Sequence, residues 1–333
     1  MMKKRGRIGS ALLLALVLVA SVVGVPKVQA ANAVDVDADC SIDFTIAGSQ
    51  TAGALKELYD GTVSVPVKMY KVASIDASGN YMAESEFSKL GVESVNSETS
   101  AADWSEKAET AAKIVADNGM TTDITATIKN GMASIQDLKP GLYLVDAENA
   151  MSPSFEYSFT PYLVSLPNNY YNVASGSSSD EWIYHLTGEN ALSLKPEQTA
   201  RFGSLVINKT LVNQNITMGE SASFVFEAVI TPLVGETYKK QAMITMNSAG
   251  NDSVTIEKIP AGATVTVTEI YSGASYEVSE VDGQTVLIPA NGSASVAFTN
   301  THDGRPNGGH GVENSFRLDE NNQYQWYQDG AAQ

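Results

Sequence analysis

Three polar residues in the C-terminal half of the chain occupy positions where the strand pattern predicts apolar side chains. They are Lys209 in the segment 205–211, Glu269 in 263–269 and Asn300 in 294–300, and each shares its parity with the apolar residues of its segment. Side chains alternate between the two faces of a strand, so all three are expected on the buried face. Burying one charge alone is costly. An amine, a carboxyl group and a carboxamide buried together would instead be able to form a covalent isopeptide bond.

The chemistry assigns one role to each residue. Burial lowers the pKa of Lys209, which gives a neutral and nucleophilic amine, and raises the pKa of Glu269, which keeps its proton. Protonated Glu269 can polarise the Asn300 carbonyl and carry a proton to the departing ammonia. Folding supplies proximity. The bond would join residues 91 positions apart in the sequence.

A plainer interpretation remains open on these residues alone. Each polar residue would lie at a strand end with its head group in solvent, and the long aliphatic stem of Lys209 suits such a position.

Short alternating segments and turn signals predict a second domain at 199–302. About eight strands in roughly 100 residues are typical of a β-sandwich. The predicted strands are 204–211, 223–230, 241–247, 253–258, 263–271, 275–281, 284–288 and 294–300.

The preceding stretch, residues 31–198, predicts a first domain, also rich in strands. Alternation at 62–72 indicates a strand, and small apolar residues at helical spacing predict an inserted α-helix over 100–118 that stops at Gly119. The expected fold class is therefore mainly β, with two Ig-like or prealbumin-like sandwiches in tandem. A Gly- and Asn-rich linker and tail follow at 303–333, where 312–328 has the pattern of a hairpin.

The first 30 residues have the pattern of a secretory signal, with a basic start, an apolar segment and a small-residue cleavage site. They hold five of the 21 Lys and Arg and none of the 38 Asp and Glu, which leaves 16 basic and 38 acidic residues and a formal charge of −22. Such a chain disfavours nucleic acid and anionic membrane surfaces as partners. Apart from the apolar segment of the signal, the sequence contains no long apolar segment, so it predicts no membrane span in the mature chain.

Other chemistries find little support. A disulfide within the chain is excluded because Cys40 is the only cysteine, and we expect it to be a small buried side chain. The three histidines, at 185, 302 and 310, lack metal-ligand spacing. We therefore predict that the chain binds no metal and no cofactor and does not catalyse a reaction on another molecule.

The second domain resembles the collagen-adhesin B-type domains of Gram-positive pilins and adhesins. The matching segments are 203–209, 265–269 and 298–301. The resemblance implies that Lys209 and Asn300 form the bond and that Glu269 is the catalytic acid. One departure is the segment after Glu269, where Ile-Tyr-Ser-Gly replaces the usual Pro-Gly-Tyr.

The first domain resembles the N-terminal domain of backbone pilins through segments 67–73, 138–145 and 161–167. In that family a sortase joins subunits through a lysine, for which Lys195 is the candidate. The usual Tyr-Pro-Lys context is absent, so an ordinary linker lysine is the favoured interpretation. The end of the chain, 326–333, also lacks the Leu-Pro-x-Thr-Gly sortase signal.

These observations predict a secreted structural subunit of the bacterial cell surface, with other pilin subunits and a sortase as partners. The alternative is an adhesin whose first domain binds a host or matrix ligand. A compact strand and helix insert in the first domain favours the subunit, whereas a long insert with an exposed aromatic groove favours the adhesin.

Overall fold

The computed structural model describes residues 33–48, 53–96, 99–169, 171–172, 177–178, 182–215, 221–273, 275–279, 283–304 and 315–327. The expected signal, residues 1–30, lies outside these ranges. No helix within them has both the length and the apolar character needed to cross a membrane.

The chain is mainly β, as the alternating pattern predicts. Its α-helices in the described ranges are α1 (Lys56–Tyr59) and α2 (Ala101–Asp117), and short 3-10 helices occupy Gly53–Leu55, Ser85–Leu90, Val92–Ser94 and Gly188–Asn190. The strands of the first 200 residues are β1 (Cys40–Ile46), β2 (Val65–Ile75), β3 (Tyr81–Ala83), β4 (Thr125–Ile128), β5 (Met132–Leu138), β6 (Gly141–Ala147), β7 (Ala150–Met151), β8 (Phe155–Ser158), β9 (Tyr162–Leu166), β10 (Tyr171–Asn172), β11 (Ser177–Ser178), β12 (His185–Leu186), β13 (Leu192–Leu194) and β14 (Glu197–Ala200).

The remaining strands are β15 (Phe202–Leu211), β16 (Ala222–Thr231), β17 (Tyr238–Met246), β18 (Gly250–Pro260), β19 (Thr264–Tyr271), β20 (Tyr276–Val278), β21 (Gln284–Leu287), β22 (Ser293–His302), β23 (Ser315–Leu318) and β24 (Tyr324–Tyr327). Each of the eight strands predicted between 204 and 300 is present.

The chain divides into two compact units that are not continuous in sequence. The described parts of Met1–Ala47, Val65–Glu148 and Phe159–Lys195 form the first, and those of Gly48–Ser64, Asn149–Ser158 and Pro196–Gln333 form the second. Two stretches of the first half thus pack with the second unit. In that unit β8 pairs with β14, and the Tyr157 hydroxyl donates to the Ala54 carbonyl at 2.6 Å.

The first unit combines two sheets with the helix that the sequence predicts. One sheet has the order β3-β2-β6-β9, with β4 also paired to β2, and the other has β12-β1-β13, with β5 paired to β1. Helix α2 begins with a capping box in which Ser100 and Asp103 each accept from the other's backbone N–H. Gly119 ends it at φ 57°. Ala111 and Val115 bury the inner face of α2 in a core shared with β2 and β6.

The second unit contains a sandwich of two four-stranded sheets. Their orders are β18-β15-β22-β20 and β17-β16-β19-β21. Alternate residues of both sheets fill one continuous core, including Phe224, Phe226, Val267 and Phe298. Strands β15 and β22, the first and last of the sandwich, lie side by side and parallel. Parallel neighbours need a long connection, which here is the rest of the domain.

Strands β23 and β24 form the hairpin predicted at the C-terminal end, and it packs on the sandwich. The Phe316 ring lies 5.1 Å from the Tyr271 ring between centroids. The backbone N–H of Tyr324 donates to Gln241 Oε1 at 2.6 Å.

We predict that Gly203→Ala destabilises the second unit. A β-carbon at Gly203 would lie 2.0 Å from the carbonyl oxygen of Pro289 and 2.9 Å from that of Gly292. Backbone atoms cannot move aside cheaply, so we expect a loss of about 2–3 kcal/mol in the free energy of unfolding. Urea denaturation of the mature chain measures this change.

Gly292→Ala is the matched control, because its β-carbon would meet the Pro289 ring at 3.3 Å and no backbone atom closer. We expect a loss below about 1 kcal/mol. Equal losses for the two variants would contradict the explanation.

Candidate functional site

Lys209, Glu269 and Asn300 meet inside the sandwich. Lys209 lies near the end of β15 and Asn300 near the end of β22, offset by two residues in register, since Lys209 pairs with Phe298 and Leu211 with Asn300. Glu269 lies on β19 of the facing sheet. The strand parity places all three in the space between the sheets, so the solvent-exposed alternative does not apply.

The three side chains make one closed set of polar contacts. Lys209 Nζ lies 3.0 Å from Glu269 Oε1 and 2.9 Å from Oε2, and it also donates to Asn300 Oδ1. The amide nitrogen of Asn300 donates to Glu269 Oε1 at 2.8 Å and to the Ser272 carbonyl at 3.2 Å. An ammonium only donates and both other partners of the amide only accept, so the network fixes the orientation of the carboxamide.

The site is shielded from water. The Lys209 and Glu269 side chains are both 0% exposed, and Asn300 is also fully buried. The Phe224 ring lies 4.4 Å and the Phe226 ring 5.7 Å from Lys209 Nζ, measured to the centroids. These rings stabilise a positive charge but offer it no proton acceptor. Proton transfer from Lys209 to Glu269 would make both groups neutral, which suits apolar surroundings.

Sequence reasoning did not find Phe224, Phe226 or the Ser272 carbonyl as parts of this site. The two phenylalanines alternate along β16 as ordinary core residues do, and no spacing rule links them to a lysine on another strand. The position of the Ser272 carbonyl depends on the turn after β19.

The other sequence candidates lie away from this network. Lys195 is exposed directly after β13, in the first unit. Cys40 is buried in β1, and burial, followed by the charge of Asp39, raises the pKa of its thiol to about 11. The described residues contain no group of three His, Cys, Asp or Glu that could hold a metal. His310 lies outside them.

The comparisons with known proteins are limited in extent or in closeness. Residues 205–303 match a family described as "Domain of unknown function (DUF5979)", which is less than a third of the chain. No curated protein matches.

Several solved structures of Gram-positive pilins are similar to this chain. The minor pilin GBS52 of Streptococcus agalactiae is 13% identical, over 81% of this chain and 99% of that one, with a TM-score of 0.24. The major pilin T3.2 of Streptococcus pyogenes is 13% identical, over 80% and 99%, with a TM-score of 0.27. The shaft pilin SpaA of Lactobacillus rhamnosus GG is 10% identical, over 80% and 100%, with a TM-score of 0.28. Likeness at this level establishes no shared function.

We predict that Glu269→Ala strongly destabilises the sandwich. It removes the two carboxylate oxygens that accept from Lys209 Nζ and leaves the buried amine without its counter-charge. Breaking a buried pair from one side costs about 3–5 kcal/mol. Urea denaturation of the purified variant measures the loss.

Glu227→Ala serves as the comparison, because Glu227 binds Lys239 at 2.9 Å on the outward face of the same sheet, where the two side chains are 21% and 52% exposed. An exposed pair contributes at most about 1 kcal/mol. Similar losses in the free energy of unfolding for the two variants would show that the burial of Glu269 does not increase its contribution to stability.

Proposed function

We propose that this chain is a secreted structural subunit of the bacterial cell surface, whose second domain cross-links itself. The cross-link is an isopeptide bond between Lys209 Nζ and Asn300 Cγ, and Glu269 is its catalyst. The observation that carries this proposal is the closed, water-free contact of amine, acid and carboxamide. The sequence resemblance to collagen-adhesin B-type domains supports the same three roles.

The reaction begins with a proton transfer along the contact between Lys209 and Glu269. The neutral amine attacks the carboxamide carbon of Asn300, while protonated Glu269 contacts the leaving amide nitrogen at 2.8 Å and is placed to donate a proton to it. Glu269 then relays a proton from the attacking nitrogen to the leaving nitrogen. The C–N bond of the carboxamide breaks and ammonia leaves. Ammonium, carboxylate and primary amide become a secondary amide, a carboxylic acid and ammonia, so atoms and charge balance without a cofactor.

The fold supplies most of the assistance that this reaction needs. The reactants lie on neighbouring strands in a rigid core, so folding converts an encounter between two groups into a fixed contact. The Ser272 carbonyl and Glu269 hold the carboxamide with its oxygen toward the amine. Each molecule performs the step once on itself, so the protein is its own substrate.

The position of the bond suits a protein under tension. Lys209 and Asn300 are 91 positions apart and lie on the first and last strands of the sandwich. Force that enters before β15 and leaves after β22 would pass through the bond and bypass the strands between. By analogy with disulfides, closing a loop of about 100 residues stabilises the fold by about 4.7 kcal/mol.

The insert in the first unit favours a structural subunit over an adhesin. Helix α2 and the 3-10 helices at Ser85–Leu90 and Val92–Ser94 bury their apolar residues against the sheet. This compact insert is the form expected of a shaft component. In the assembled state we propose other copies as partners. A sortase linkage at Lys195 is the alternative to the favoured interpretation of an ordinary linker lysine, and the exposed position of Lys195 suits either.

We predict that the purified mature chain is lighter than its sequence mass by one ammonia. Glu269→Gln keeps the size and hydrogen-bonding capacity of the side chain but removes its acid–base function, so it should have the full mass. Intact-mass spectrometry distinguishes the two. Circular dichroism confirms that the variant is folded, and Glu227→Gln should lose ammonia as the wild type does.

The linked peptide must also be identified, because Asn130-Gly131 and Asn291-Gly292 can lose ammonia through succinimide formation. Tandem mass spectrometry of a digest should find one species joining Lys209 to Asn300. A full unmodified mass in folded wild-type chain would refute the proposal. So would a Lys209–Asn300 species that persists in Glu269→Gln.

A separate prediction concerns assembly. If a sortase joins subunits at Lys195, cell-wall extracts should give a ladder on a denaturing gel, and Lys195→Arg should reduce it to the monomer. Lys113→Arg is the control, because Lys113 is also exposed and lies on α2. A ladder that persists in Lys195→Arg would remove this residue from the proposal and leave the internal bond unaffected.

A further inference from the structure

The outward face of the β17-β16-β19-β21 sheet carries a buried side chain that the sandwich core does not explain. Val225 is 1% exposed although it alternates with Phe224 and Phe226, which both belong to the core. Its register partners are Met243 on β17 and Tyr271 on β19. Val225, Met243 and Tyr271 therefore form an apolar row on the outward face, which we call the outer-face patch.

The C-terminal hairpin covers this patch. Phe316 packs on Tyr271 of β19, and the Tyr324 N–H binds Gln241 of β17. Because β17 and β19 flank β16 on its two sides, a hairpin that touches both must pass over β16. Such a crossing would account for the burial of Val225.

The hairpin is a small element on a long connection. Two-stranded hairpins are marginally stable on their own, and Leu318 remains 53% exposed. The sequence 303–314, which contains four glycines, joins the hairpin to the sandwich. A connection of that length spans at most about 40 Å.

We propose that the outer-face patch is an interaction surface for the C-terminal hairpin of a second copy of this chain. The contacts in such a pair are those that the hairpin makes within one chain. The hairpin and the patch are different surfaces. In a pair, the copy that gives its hairpin still has its own patch, and the copy that receives it still has its own hairpin. Further copies can therefore add in an open row. A tethered hairpin has a millimolar effective concentration at its own patch, so exchange requires closely packed neighbours. This proposal does not depend on the Lys209–Asn300 bond.

Two complementary full-length variants test the exchange. The receiver carries Gln241→Cys and Phe316→Ala, which weakens its own hairpin and leaves its patch open. The donor carries Tyr324→Cys and Tyr271→Ala, which weakens its own patch and releases its hairpin. All four positions lie outside the sandwich core, so both variants should fold. Cys40 is buried and should not compete for the disulfide.

Mixed under mild oxidation, receiver and donor should form a disulfide-linked heterodimer, seen on a non-reducing gel and located by mass spectrometry. Adding Phe316→Ala to the donor should slow its formation by roughly tenfold or more, since the ring is the apolar anchor. The single-chain variant Gln241→Cys/Tyr324→Cys should close an internal disulfide.

Three results would overturn the proposal. The first is a heterodimer that forms equally fast without Phe316, which indicates random collision. The second is the absence of a heterodimer while the single-chain disulfide closes. The third is a single-chain variant that does not close, which removes the docking itself.

Discussion

A lysine amine sealed in an apolar core is the constraint on which the second unit depends. The Lys209 side chain is 0% exposed, so its amine depends on partners inside the core, among them Glu269 and Asn300. A structure that buries such a group must either keep every partner in place or react. The rings of Phe224 and Phe226 shield the amine from water. This shielding is compatible both with a maintained set of contacts and with the reaction. The proposed bond resolves the constraint by turning a costly charge into a neutral amide.

The arrangement of the strands would give the proposed bond a mechanical role. Because β15 and β22 are parallel neighbours at the two ends of the domain sequence, a single bond between them closes nearly the whole domain into a ring. The facing sheet holds Glu269 on β19 and the rings of Phe224 and Phe226 on β16, so the proposed catalyst would not be part of the linkage. The sole cysteine is buried in β1, and this bond would therefore be the covalent brace of the sandwich.

The same sheet that contributes Glu269 inward presents an apolar row outward, and the C-terminal hairpin covers it. The inward side chains of this sheet belong to the single continuous core of the sandwich. On the outward face, the contacts of the hairpin with the sheet include the Phe316–Tyr271 ring pair and the hydrogen bond from Tyr324 to Gln241. In the proposed assembly, the inward face would hold each copy together and the outward face would provide the exchangeable contact between copies.

The sequence by itself determined the β class, the eight strands between 204 and 300, helix α2 with its Gly119 stop, and the inward parity of Lys209, Glu269 and Asn300. All of these follow from local alternation, capping and turn residues, which act over a few positions. Only the tertiary structure decided that the three polar heads meet, that aromatic rings seal them, and that 48–64 and 149–158 pack with the second unit. Those outcomes depend on which strands become neighbours, and strand pairing over long separations leaves no mark on the local pattern.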